Sequence, residues 1–88
     1  MTGVIWKYAL PFSAVEVQLP AGTRVLTMQN QGGVPTLWAL VDPDASPVRR
    51  RFVVCGTGHA GVDPDWTYLG TDQFPGGIVA HAFEVPAS

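Results

Sequence analysis

The chain has 88 residues, 47% hydrophobic and 14% charged, with a net charge of −2. That hydrophobic share excludes a disordered chain, and the acidic balance argues against general nucleic-acid binding. No apolar run approaches the ~20 residues of a membrane-spanning helix, so no membrane partner is expected.

A chain this short is read as one domain, residues 1–88, around a thin core. Its charged share lies below the usual figure of about 25%, which points to apolar surface covered in a homo-oligomer. No signal-peptide pattern stands at the N-terminus, so the cytoplasm is the expected location. The single cysteine, Cys55, excludes an intrachain disulfide and reads as a small buried hydrophobe.

Proline and glycine punctuate the chain at short intervals. Short apolar runs between such breaks predict an all-β domain: a small antiparallel sandwich or partly open barrel of about six to seven strands. Val4–Tyr8 is β-branched and aromatic. Val15, Val17 and Leu19 alternate with Glu16 and Gln18, the period of a half-buried strand. Pro20–Thr23 reads as a tight turn and Thr23–Gln29 as the next strand. Gly32–Gly33 supplies the positive φ that a hairpin needs.

Leu37–Val41 is continuously apolar, which predicts a central strand covered on both faces with Trp38 in the core. Asp42–Pro47 is a loop. Val48–Cys55 is a strand, basic in its first half, with Arg49 and Arg51 on one face and Arg50 on the other. Those arginines read either as protection of an edge strand or as a patch for an acidic partner or phosphate. Gly56–Gly61 is the most flexible stretch. Asp63–Trp66 allows at most one helical turn, capped by Asp63 with Pro64 in its first position. Thr67–Gln73 and the alternating Gly77–Val85 complete the strands.

The chemistry concentrates in Gly56-Thr57-Gly58-His59. Two glycines let backbone approach a ligand, and successive N–H groups can form an anion nest. Thr57 and His59 add side-chain donors, and Arg51 lies just upstream. These residues are the candidate contacts to the phosphate of a small nucleotide ligand, with Trp66 or Tyr68 stacking on its base. A β-bulge or wide turn is the plainer reading of the glycines. Cys55, His59 and His81 lack the close spacing of a metal site, so neither metal nor cofactor is expected. Ser13, Ser46 and Ser88 sit in no nucleophile elbow. Asp42, Asp44, Asp63 and Asp65 fall in loops, as turn-forming acids do. His59 or His81 is the candidate general base of a small hydrolase or isomerase. The sequence shows neither a nucleophile nor an orienting partner for either, so no enzymatic activity is expected.

Ile5-Trp6-Lys7-Tyr8, Leu19-Pro20-Ala21-Gly22, Gln29-Asn30-Gln31, Leu37 to Pro43, Gly56 to His59, Tyr68-Leu69-Gly70-Thr71 and His81-Ala82-Phe83-Glu84 occur in that order. Over nearly the whole chain this pattern resembles a group of small single-domain proteins of unknown function encoded by tailed phages and prophages. The resemblance carries no active-site residues. It implies an accessory role in the host cytoplasm. One form is counter-defence by sequestering a nucleotide-derived signal in a homo-oligomer. The alternative is inhibition of a host protein through an apolar patch or a strand edge.

Overall fold

The computed structural model describes residues 2–87. Seven strands follow one another: β1 (Val4–Ala9), β2 (Ala14–Pro20), β3 (Arg24–Gln31), β4 (Val34–Val41), β5 (Pro47–Gly56), β6 (Thr67–Phe74) and β7 (Ile78–Val85). They form two antiparallel sheets, ordered β1-β4-β3 and β2-β5-β7-β6. The protein is an all-β sandwich that does not close into a barrel, and no helix occurs among the described residues.

The period-two pattern places the core. Val15 and Val17 pack against it and Leu19 joins it, while Glu16 and Gln18 face solvent. Phe52, Leu19, Met28 and Leu37 are almost completely buried between the sheets. Removing such a side chain from water contributes roughly 1.5–3 kcal/mol. Gly32 and Gly33, with φ of 59° and 88°, turn the β3–β4 hairpin as a pair of positive-φ residues must.

The sheets meet where β3 runs beside β6. The Asn30 amide N–H donates to Asp72 Oδ2 (2.9 Å), and Asn30 Nδ2 donates to the Gln73 carbonyl (3.0 Å). A Cβ on Gly70 would lie 2.9 Å from the Met28 carbonyl oxygen, so glycine is what lets the two backbones approach. β1 and β2 remain as outer edges.

Two expectations are corrected by this architecture. β4 is central in its sheet, but it is covered on one face only. Leu37, Ala39 and Val41 are buried, whereas Trp38 and Leu40 are half-buried on the outside. A two-layer antiparallel sandwich leaves each outer face to water. Trp38 therefore leaves the core and sits under the Lys7 ammonium, 5.8 Å from the ring centroid.

β5 lies between β2 and β7, so its arginines protect no edge. Arg50 faces inward, opposite Arg49 and Arg51, and makes a two-pronged bond to Glu84 at 2.6 and 2.7 Å. It also donates to the Thr23 carbonyl, tying the β2–β3 turn to β7. The hydrogen bonds to Glu84 raise the guanidinium pKa against the opposing pull of desolvation.

Residues 63–66, where at most one helical turn was expected, form a hydrogen-bonded turn and no helix. The Asp65 N–H donates to Asp63 Oδ1 (2.8 Å) and the Trp66 N–H to the Asp63 carbonyl (3.1 Å). Asp63 caps the turn as expected, but the chain enters β6 at once.

Candidate functional site

β5 ends in the Gly56–His59 turn. The Thr57 N–H donates to the Val79 carbonyl (3.1 Å), continuing the β5–β7 ladder by one step. The His59 N–H then donates to the Gly56 carbonyl (3.2 Å), closing a four-residue turn whose third residue, Gly58, has φ of 89°. That conformation favours glycine. Two of the segment's amides are therefore engaged by backbone carbonyls. That leaves no successive free N–H groups for the anion nest that Gly56-Thr57-Gly58-His59 could have formed, and the plainer reading, a turn, is what the chain adopts. The turn is nevertheless open to solvent, with Thr57, Gly58 and His59 all exposed.

The His59 ring lies across Gly56. A Cβ there would meet His59 Cε1 at 3.3 Å, so the missing side chain makes room for the imidazole. Beside this turn a cleft of about 410 Å³ opens between the end of β5 and the β6–β7 hairpin. Phe12, Val54, Ile78 and Val79 form its apolar walls. Gly56 and Gly77 thin it on two sides, and Thr57, His59 and Cys55 supply its polar groups. Among the described residues no Lys, Arg, Asp or Glu lines it. Phe12 is held from behind by Phe74, in edge contact at 5.3 Å between ring centroids.

The other sequence-predicted residues lie apart from this cleft. Arg51 lies on the outer face of β5, across from Glu16, in a separate groove of about 440 Å³ that Arg49 and Pro86 also line. Six residue steps along β5 and just past its end separate it from Thr57, a distance of about 20 Å. Arg51 therefore cannot share one phosphate with Thr57 and His59 of the same molecule. Trp66 is half-buried against Phe83, with ring centroids 6.1 Å apart. Tyr68 also packs against Phe83, with ring centroids 5.8 Å apart, and is 58% exposed. Cys55 is half-buried at the cleft rather than sealed in the core.

Sequence reasoning missed what surrounds His81. Register aligns Thr71, His81 and Cys55 across β6, β7 and β5 on the outer face. His81 Nδ1 lies 2.8 Å from the Thr71 hydroxyl and Nε2 lies 2.7 Å from the Thr57 hydroxyl. The Tyr68 hydroxyl lies 2.6 Å from Thr71 Oγ1. Thr57 thus belongs both to this chain of polar groups and to the cleft. The alternation of β7 put His81 on the outer face with Phe83. Nothing local in the sequence marks Thr71 as its partner. Among the described residues, no cluster of three or more His, Cys, Asp or Glu is arranged to hold a metal.

Residues 1–88 match the family model of a domain of unknown function, DUF7352, and the chain belongs to that family. No curated protein and no solved structure matches it.

Proposed function

We propose that this family member is an accessory binding protein. In this reading it works as a homo-oligomer and seats the base of a small nucleotide-derived ligand in the cleft beside the Gly56–His59 turn. The observation that carries the reading is the cleft itself, with apolar walls at Phe12, Ile78 and Val79, a polar rim at Thr57 and His59, and no Lys, Arg, Asp or Glu among the described residues of its lining. A neutral planar ring gains contact with such walls and keeps hydrogen bonds at the rim. Arg49 and Arg51 are the cations suited to a phosphate, but they lie in the other groove. A phosphate held with its base in the cleft therefore meets the arginines of a second copy, which is why assembly belongs to the reading. Exposed Ile5, Phe12 and Ile78 on a weakly charged chain support assembly too. A counter-defence role in the host cytoplasm rests on the resemblance of the motif order to that of small phage proteins.

Titration calorimetry and thermal shift against a panel of linear and cyclic adenine nucleotides test this. Ligand at about 100 times its Kd adds about 2.7 kcal/mol of stability. That gain is expected in the unaltered protein and lost in Ile78→Asp. No heat and an unchanged Tm across the panel overturn the reading.

One observation favours a second reading, inhibition of a host protein. Edge strand β1 exposes Val4, Ile5 and Trp6 by 44%, 59% and 41%. Such an edge offers both apolar contact and unpaired backbone groups. A stoichiometric protein partner, captured by the unaltered chain and lost in Ile5→Lys, selects this reading over the first.

A further inference from the structure

The contacts of His81 go beyond what binding a ligand requires. His81 is half-buried on the outer face of β7, where a ring nitrogen can still turn to water. Here both ring nitrogens are engaged by threonine hydroxyls, at 2.7 Å to Thr57 and 2.8 Å to Thr71, and Tyr68 backs Thr71 at 2.6 Å. A hydroxyl within reach of a base, and a third group fixing that base, is the arrangement that activates a nucleophile.

We infer that Thr57, His81 and Thr71 form a nucleophile, a base and a positioning residue, and that they give the protein acyl-transfer activity on small neutral esters with an apolar acyl group. The acyl preference follows from the cleft that Thr57 borders, walled by Phe12, Val54 and Ile78 and without Lys, Arg, Asp or Glu among the described residues of its lining.

The steps balance without a further reactant. With its proton on Nδ1 and donated to Thr71 Oγ1, neutral His81 presents the Nε2 lone pair to the Thr57 hydroxyl. Thr57 Oγ1 attacks the ester carbonyl, a C–O bond forms, and the hydroxyl proton passes to Nε2. The Gly58 N–H, which makes no hydrogen bond among the described residues, follows the nucleophile directly in the chain. It is the donor placed for the developing oxyanion. When the tetrahedral species collapses, the bond to the alcohol breaks and the departing oxygen takes the proton from Nε2. Water then attacks the acyl-Thr57 ester and gives a proton to Nε2. The bond to Thr57 Oγ1 breaks, and that proton returns to Thr57. Ester and water become acid and alcohol. Among the described residues no carboxylate bonds the His81 ring. A hydroxyl orients the ring without neutralising the imidazolium, so turnover is slow beside that of carboxylate triads.

The test is p-nitrophenyl butyrate hydrolysis, together with labelling by an alkyl fluorophosphonate and peptide mapping of the adduct. The label is expected on Thr57. Thr57→Val and His81→Gln are expected to lower hydrolysis above background roughly 10²-fold, while Lys7→Gln stays within about twofold, inside the range of surface changes that touch no site. Absence of label at Thr57, or an unchanged rate in Thr57→Val, overturns the inference. ¹⁵N NMR of the unaltered protein guards against misfolded variants. Neutral His81 is expected as the Nδ1–H tautomer, and Thr71→Val is expected to shift that balance. The Nε2–H tautomer in the unaltered protein overturns the assignment of roles. The inference shares the cleft with the binding reading but not its ligand. Nucleotide binding without labelling of Thr57 overturns only the activity. Labelling without nucleotide binding overturns only the ligand.

Discussion

Replacing Glu84 leaves Arg50 facing inward with its principal partner gone. The two side chains are only 23% and 20% exposed and meet through two bonds. Breaking a fully buried pair costs about 3–5 kcal/mol, while an exposed pair is worth about 0–1. At this burial Glu84→Ala is expected to destabilise by roughly 2–3 kcal/mol. In a domain of this size each kcal/mol moves Tm by about 4–8 °C, so the variant should melt roughly 10–20 °C lower. Glu84→Gln retains a carbonyl acceptor and should fall at the low end. The double change Arg50→Met with Glu84→Leu should recover much of the loss, because no charge is then left without a partner. Urea and thermal unfolding followed by tryptophan fluorescence measure all three. A Glu84→Ala variant within about 0.5 kcal/mol of the unaltered protein refutes the reasoning, since that is the range of a surface substitution.

Gly70→Ala drives a Cβ to 2.9 Å from the Met28 carbonyl oxygen and 3.0 Å from its nitrogen. Neither backbone atom can rotate away, so a loss of about 1–3 kcal/mol is expected in the urea midpoint. An unchanged midpoint shows that β3 and β6 are not closely held there. The N–H groups of Asn30 and then Gln73 hold the Asp72 carboxyl below its usual range. Its folded pKa thus lies below the unfolded value of about 3.9. The stability it adds is complete above that value and is lost as pH falls through the lower, folded one. Asp72→Ala should therefore be weaker than the unaltered protein at pH 7, with the gap closing on acidification below about pH 4. A gap that stays constant in urea titrations from neutral to strongly acidic pH removes Asp72 from the β3–β6 junction.

The strands were legible because each is short, apolar or alternating, and bounded by proline or glycine, as Val15–Leu19 and Gly77–Val85 illustrate. What periodicity does not carry is which strands become neighbours. The arginines of β5 suited an edge, yet β7 pairs with β5 on the side away from β2. Trp38 lay in an unbroken apolar run, but the second layer that would have covered it is absent. The Gly56–His59 stretch was recognisable as open and polar because its glycines and histidine are contiguous. The partnership of Thr57 with His81 and Thr71 joins residues 24 and 10 positions apart. It arises only from cross-strand register, which hydrogen bonding in the finished sheet decides.

The order in which the sheets are threaded bears on how the chain acquires them. None of the first three strands has its chain neighbour among these three as a partner: β1 waits for β4, β2 for β5, and β3 for β4. During synthesis β1, β2 and β3 therefore leave the ribosome without pairing among themselves, until the β3–β4 hairpin closes and offers β4 to β1. Long-range pairing of this kind slows folding, and it leaves the aromatic segment Ile5-Trp6-Lys7-Tyr8 uncovered while it waits, a window in which nascent chains are open to chaperones or to one another.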